Sequence, residues 1–156
     1  MRRSLLVLLF LCALALTPSL ASSAGRATEW PVPRLARPLA TAKPLVNRFF
    51  TLVQRHDTAA LDQFLAAGFQ VQRADGSGGR KTPYLKALPT VRKFSLSRFS
   101  VTQANGALVV RYLATVQGVL NGKLYTPGPA PRLSIFTWNG GRWQLAAHAN
   151  FNPLRG

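Results

Sequence analysis

Asp75 and His148 are the side chains in this 156-residue chain best suited to moving a proton. Only four acidic residues are present, Glu29, Asp57, Asp62 and Asp75, with two histidines and one cysteine. Glu29 falls in a proline-rich stretch, and Asp62 falls on the polar face of a predicted helix. Asp57 precedes that helix where an N-cap belongs, which makes His56 beside it a solvated neighbour rather than half of a catalytic pair. Asp75 follows a short predicted strand and remains as a candidate general base, although Asp75-Gly76 is also an ordinary turn dipeptide. His148 has an intrinsic pKa of about 6.5, which suits acid-base work. The histidines and acids show no metal-ligand spacing. The glycine-rich run ADGSGGR (74–80) lacks the Lys-Ser/Thr ending of a phosphate loop. No metal and no cofactor is therefore expected.

The element that must position His148 is a predicted hairpin over 130–153, APRLSIFTWNGGRWQLAAHANFNP. Asn150, two residues on, points to the same side of its strand. A three-residue Asn139-Gly140-Gly141 loop would pair Trp138 with Arg142. Arg132 would then face His148, Ser134 would face Ala146, and Phe136 would face Gln144. The opposite side would collect Leu133, Ile135, Trp143, Leu145 and Ala147, an apolar stripe suited to close over helices. This register gathers Arg132, His148 and Asn150 into one polar cluster, suited to an anion or the polar end of a ligand. If the apolar stripe covers the helices, the cluster sits on the outer sheet face as a partner surface, and otherwise it lines a pocket. Arg132 opposite His148 would disfavour protonating the imidazole.

Upstream, apolar residues from Leu45 to Val53 recur at three- and four-residue spacing, which predicts a helix with Pro44 in its first turn. A second helix follows Asp57, with Leu61, Phe64 and Leu65 as its stripe and Gly68 as its stop. Residues 69–73 alternate as a short strand. Thr82 and Pro83 open a short third helix over 82–88. Strands are predicted over 91–103 and 107–120, with hairpin turns at Asn105-Gly106 and Asn121-Gly122 and a brief return over 123–125. On the longer strand Leu108, Val110, Tyr112, Ala114 and Val116 share a face. Ser95, Ser97 and Ser100 mark a solvent face.

Three parts are expected: a signal peptide (1–24), a Pro/Arg-rich linker (25–43) and one folded domain (44–153). Met1-Arg2-Arg3, the apolar run ending at Pro18, and the small residues ASSA form a charged region, an apolar region and a cleavage zone. The apolar run is well short of the roughly 20 residues a spanning helix needs. The expected location is secreted or periplasmic, with no stable transmembrane segment after signal cleavage. Cys12 would leave with the signal. The formal charge is +16. The bases are scattered, so nucleic acid is not expected as a partner. An anionic envelope surface or a small apolar or anionic ligand fits the address better.

Two helices, a short strand, a short helix and a run of long antiparallel strands make an α+β pattern. The segments HDTAALDQFLAAGFQVQRADGSG, RWQLAAHANFN and APRLSIFTWNGGRW resemble the nuclear transport factor two-like (NTF2-like) superfamily, in particular its SnoaL-like domains of unassigned function. The resemblance implies a cone-shaped, strongly curved antiparallel sheet packed on three N-terminal helices, a cystatin-like roll. It also implies a small ligand at the cone's mouth and a homodimer through the sheet. Some members are isomerases, dehydratases or cyclases. On that model Asp75 or His148 would act as acid-base group and Tyr84 or Tyr112 as hydrogen-bond donor. The leading expectation is a secreted binding domain without identifiable catalysis, its ligand residues being Arg132, His148, Asn150, Tyr84 and Tyr112. The alternatives are that enzyme and a basic envelope-binding protein.

Overall fold

A computed structural model describes residues 31–152 and the backbone of Leu154 and Arg155. The expected signal segment 1–24, the expected linker residues 25–30, Pro153 and Gly156 lie outside the described residues.

The first helix, α1, spans Pro38–Gln54, so it begins six residues before Pro44, which lies inside it. Pro44 cannot donate to the preceding turn, which opposes helix there. Tertiary packing outweighs that loss: Ala42 is fully buried and extends the stripe Val46, Phe49, Phe50 and Val53 by one turn. The last part of the expected linker, 38–43, is therefore helix. α2 (Thr58–Phe64) is capped as expected, with Ala60 N donating to Asp57 Oδ1 at 2.9 Å. Its end differs. The chain turns extended at Leu65 and runs directly into β1 (Leu65–Gln72), leaving Gly68 inside a strand.

A turn over 73–77 joins β1 to β2 (Gly78–Arg80), so part of the glycine-rich run is a paired strand. The helix α3 (Lys81–Lys86) starts at Lys81 without a side-chain cap, so Thr82 lies inside it rather than capping it. The long strands are β3 (Thr90–Ala104) and β4 (Ala107–Leu120), followed by β5 (Lys123–Tyr125), β6 (Ala130–Trp138) and β7 (Trp143–Asn150). A last pair of residues, β8 (Leu154–Arg155), pairs with β5. Asn105-Gly106 and Asn121-Gly122 have positive φ at both positions, the geometry of two-residue hairpin turns that asparagine and glycine tolerate.

The sheet runs β2-β1-β7-β6-β4-β5-β8, with β3 also paired to β4. It is strongly curved, open and mostly antiparallel. The exception to the expected antiparallel order is β1 beside β7, which run parallel. The long excursion through β3, β4 and β6 separates those two strands and makes a parallel pairing possible. The three helices cover the concave face, where Leu108, Val110, Tyr112, Ala114 and Val116 of β4 meet α1. Ser95, Ser97 and Ser100 are exposed on β3.

Candidate functional site

The hairpin that carries His148 departs from the predicted register. Its loop is one residue longer, so Trp138 pairs with Trp143, Thr137 with Gln144 and Phe136 with Leu145. The register then shifts between Phe136 and Ile135. Beyond it Ile135 pairs with Ala147, Ser134 with His148, Leu133 with Ala149 and Arg132 with Asn150. Ala146 is the extra residue of a bulge. A bulge breaks the alternation of sides, so Leu145 and His148, three apart, are both buried on the concave face. Arg132, Ser134 and Phe136 are buried on that face as well, whereas Leu133, Ile135 and Ala147 are half-buried on the convex side. The predicted stripe is thus split: only Trp143 and Leu145 pack under the helices. The opposition of Arg132 to His148 is replaced by Ser134 opposite His148, and the outer-face placement of the cluster by an inner one.

Arg132, His148 and Asn150 line a cavity of about 40 Å³ between the sheet and the helices. Phe49, Phe50 and Tyr84 supply its aromatic wall, and Arg73 and Tyr125 also line it. His148 packs against Phe49 at 4.9 Å and Phe50 at 6.0 Å between ring centroids. Its Nδ1 lies 3.0 Å from Ser134 Oγ, which lies 3.1 Å from the Tyr112 hydroxyl. Burial raises the Tyr112 pKa, so the hydroxyl keeps its proton and needs an acceptor. Assigning Tyr112 as donor to Ser134 and Ser134 as donor to Nδ1 uses both hydroxyl hydrogens and puts the ring proton on Nε2. Desolvation, followed by the Arg132 charge, lowers the His148 pKa to about 3. His148 is therefore a neutral hydrogen-bonding group at physiological pH.

Arg132 is 1 % exposed. Its Nη1 donates to the Pro131 carbonyl at 2.9 Å, and its Nη2 has no partner among the described residues. Burial lowers its pKa to about 10, which leaves it charged at neutral pH. Arg73 comes from the other side of the cavity, where its guanidinium lies 5.7 Å from the Tyr84 ring centroid and its Nε is also without a partner among the described residues. The Tyr125 hydroxyl interacts with Asn150 and feels both Arg132 and Arg73. Asn150 Oδ1 accepts from Asn152 N at 2.9 Å, which ties the strand's end to the buried Asn152.

The other sequence candidates divide. Tyr84 lines the cavity from α3 and is buried against Phe49 and Phe69. Tyr112 stands behind Ser134 and is not among the lining residues. Asp75 is exposed in the turn after β1, where it accepts from Ser77 N at 3.0 Å, Ser77 Oγ at 2.6 Å and Asn121 Nδ2 at 2.8 Å. Those hydrogen bonds, led by Ser77 Oγ, lower its pKa. It serves the turn and does not reach the cavity. Tyr125 and Arg73 were not anticipated as site residues. The only sequence signal was a tyrosine bounding a proline-rich irregular stretch and an arginine ending a short strand. Among the described residues no cluster of three histidine, cysteine or acidic side chains could hold a metal ion. Among them no helix is long and apolar enough to cross a membrane.

Three helices against a curved, mostly antiparallel sheet, with a polar cluster on the concave side, define a small α+β roll with an internal cavity. Comparison with solved structures makes this specific: the fold is that of the NTF2-like superfamily. An NTF2-like protein from Cytophaga hutchinsonii is similar with a TM-score of 0.66 and 14% identity, over 78% of this chain and 100% of the other. An NTF2-like protein of unknown function in nutrient uptake from Rhodospirillum rubrum matches with a TM-score of 0.60 and 19% identity, over 76% and 98%. An NTF2-like protein with a cystatin-like fold from Novosphingobium aromaticivorans matches with a TM-score of 0.53 and 12% identity, over 76% and 82%. No family model and no curated protein matches the sequence.

Proposed function

We propose that this chain is an exported small-molecule-binding domain whose ligand places its polar end in the cavity beside Arg132, His148 and Asn150. The observation that carries the reading is the inward placement of this cluster on a cavity whose opposite wall is aromatic. A proton-transfer enzyme fits less well. Asp75 is committed to a turn, and a histidine whose pKa is about 3 is a poor base near neutrality. The cavity volume of about 40 Å³ is far below the roughly 300–1,000 Å³ of sites that enclose a whole ligand, so it takes only a very small molecule or the polar end of a longer one.

The test is to purify the exported chain under mild conditions and identify by mass spectrometry what is released on denaturation. A stoichiometric small molecule in independent preparations supports the reading, and its consistent absence argues against it. Cell fractionation of a C-terminally tagged chain tests export: loss of residues 1–24 in the exported fraction is expected. The same reading places a second copy against the convex sheet face, where Val109 is 38% exposed among half-buried Leu133, Ile135 and Ala147. Light scattering after gel filtration would report a dimer that Val109→Lys disrupts, and a monomer at all concentrations would remove this element.

A further inference from the structure

A buried cation without a counter-ion among the described residues is the least expected feature of the cavity. Taking a guanidinium out of water is costly unless charge or hydrogen bonds replace the solvent. Arg132 has only the Pro131 carbonyl, and its Nη2 faces no partner among the described residues. The acidic side chains among the described residues are all committed elsewhere. Asp57 caps α2, Asp62 lies 3.1 Å from Lys81, and Asp75 holds its turn. Arg73 adds a second guanidinium with an unpartnered Nε. With Tyr112 assigned as donor to Ser134 and Ser134 as donor to Nδ1, the remaining nitrogen of His148 carries an N–H. The polar side of the cavity therefore offers donors and positive charge. Of its two side-chain amides, Asn150 Oδ1 already takes the Asn152 amide, and Gln72 Nε2 donates to the Gly76 and Ser77 carbonyls.

We infer that the cavity recognises the carboxylate end of a small organic acid, with Arg132 as its counter-ion. This rests on the preceding reading of the cavity as a ligand site and adds the ligand's chemical class. The Arg132 guanidinium, which lines the cavity, supplies a charge-assisted hydrogen bond to one carboxylate oxygen. His148 Nε2–H and the Tyr125 hydroxyl are the neutral donors for the rest of the head group. Phe49, Phe50 and Val116 take the first carbons of the acid. The small volume favours a planar carboxylate over a tetrahedral phosphate, and Asp75, whose charge reaches Tyr125, is held outside the cavity by Ser77 and Asn121.

The experiment is a calorimetric titration of the full exported chain with acetate, propionate and butyrate, with their primary amides, and with inorganic phosphate. The expected result is binding of the acids, about tenfold or more weaker binding of the matched amides, and no preference for phosphate. Arg132→Met, checked for folding by circular dichroism, loses acid binding, and Arg73→Gln weakens it. Should Arg132→Met fail to fold, the acid-to-amide ratio on the unaltered protein decides alone. Amides binding as tightly as acids overturn the carboxylate assignment while leaving the cavity a ligand site. Phosphate binding more tightly than every acid also overturns it. Absence of binding by all three probes overturns it too. In that last case a neutral molecule released in the mass-spectrometric test keeps the broader reading, and an empty protein removes both.

Discussion

Ser134 lies opposite His148 across β6 and β7, with its Oγ 3.0 Å from His148 Nδ1. The same hydroxyl meets Tyr112 from β4, so three adjacent strands are joined by one buried side-chain chain. The chain fixes the imidazole's orientation and keeps it neutral beside Arg132. It makes the concave face both a core and a binding surface.

Ser134→Ala removes the link and leaves two buried polar groups without their partner. The expected destabilisation is about 1–3 kcal/mol, and Tyr112→Phe is expected to cost about 1 kcal/mol. Urea denaturation of both single variants and the double variant checks this. The double variant should be less destabilised than the sum of the two, because both changes break one chain.

His148 is expected to govern part of the acid sensitivity. Its pKa in the fold is lowered to about 3, against about 6.5 when unfolded. Below the unfolded value the unfolded chain binds a proton that the folded chain refuses. The contribution of the neutral imidazole is thus fully present above about pH 6.5 and lost progressively as pH falls towards 3, by up to about 1.4 kcal/mol per pH unit. Denaturation between about pH 4.5 and 6.5, above the carboxylate range, should show this slope, and His148→Gln should flatten it.

Arg132→Met is expected to leave the ligand-free protein at least as stable as the original, with a gain of about 1 kcal/mol or more. An apolar chain of similar length replaces a buried charge that has no counter-ion among the described residues. Thermal unfolding in ligand-free buffer measures it. A large loss would mean that the guanidinium has a protein role beyond its bond to Pro131.

Gly118→Ala is expected to destabilise by about 1–3 kcal/mol, as overpacking does. An added Cβ would lie 2.1 Å from the Thr90 carbonyl oxygen, where β3 crosses β4. Gly68→Ala is the control, since an added Cβ there meets nothing within 4 Å. Melting temperatures of the two variants should separate clearly.

Gln103 holds the segment before α1 to the sheet. Its side chain accepts from Leu35 N at 3.0 Å and donates to the Pro33 carbonyl at 2.7 Å. Gln103→Ala should abolish exchange protection of the Leu35 amide and speed proteolysis around residues 31–36, with a global cost of only about 1 kcal/mol. Unchanged exchange at Leu35 would show that the segment is held by other contacts.

Much of the fold was legible because local chemistry and tertiary packing agree. Asp57 caps α2, both Asn-Gly pairs make hairpin turns, and the alternation along β4 correctly marks Leu108 to Val116 as its buried face. Where they disagree, packing prevails. The α1 helix extends back through Pro44 because Ala42 is buried, and α2 stops at Phe64 because Leu65 joins the sheet.

The α+β class and the order of most elements follow from the sequence alone, as does the location of Arg132, His148 and Asn150 on one hairpin, although their expected register, Arg132 opposite His148, gives way to Arg132 opposite Asn150. Which way that group faces depends on contacts between distant strands. Side-chain parity along a strand assumes unbroken alternation, and one extra residue at Ala146 reverses it. The bulge leaves no signature in the run LAAHAN, because alanine fits either face. It depends on the pairing of β7 with both β6 and β1, contacts made between distant parts of the chain. That single residue puts His148 on the same face as Leu145 and so into the cavity, which Tyr125 and Arg73 reach from other elements.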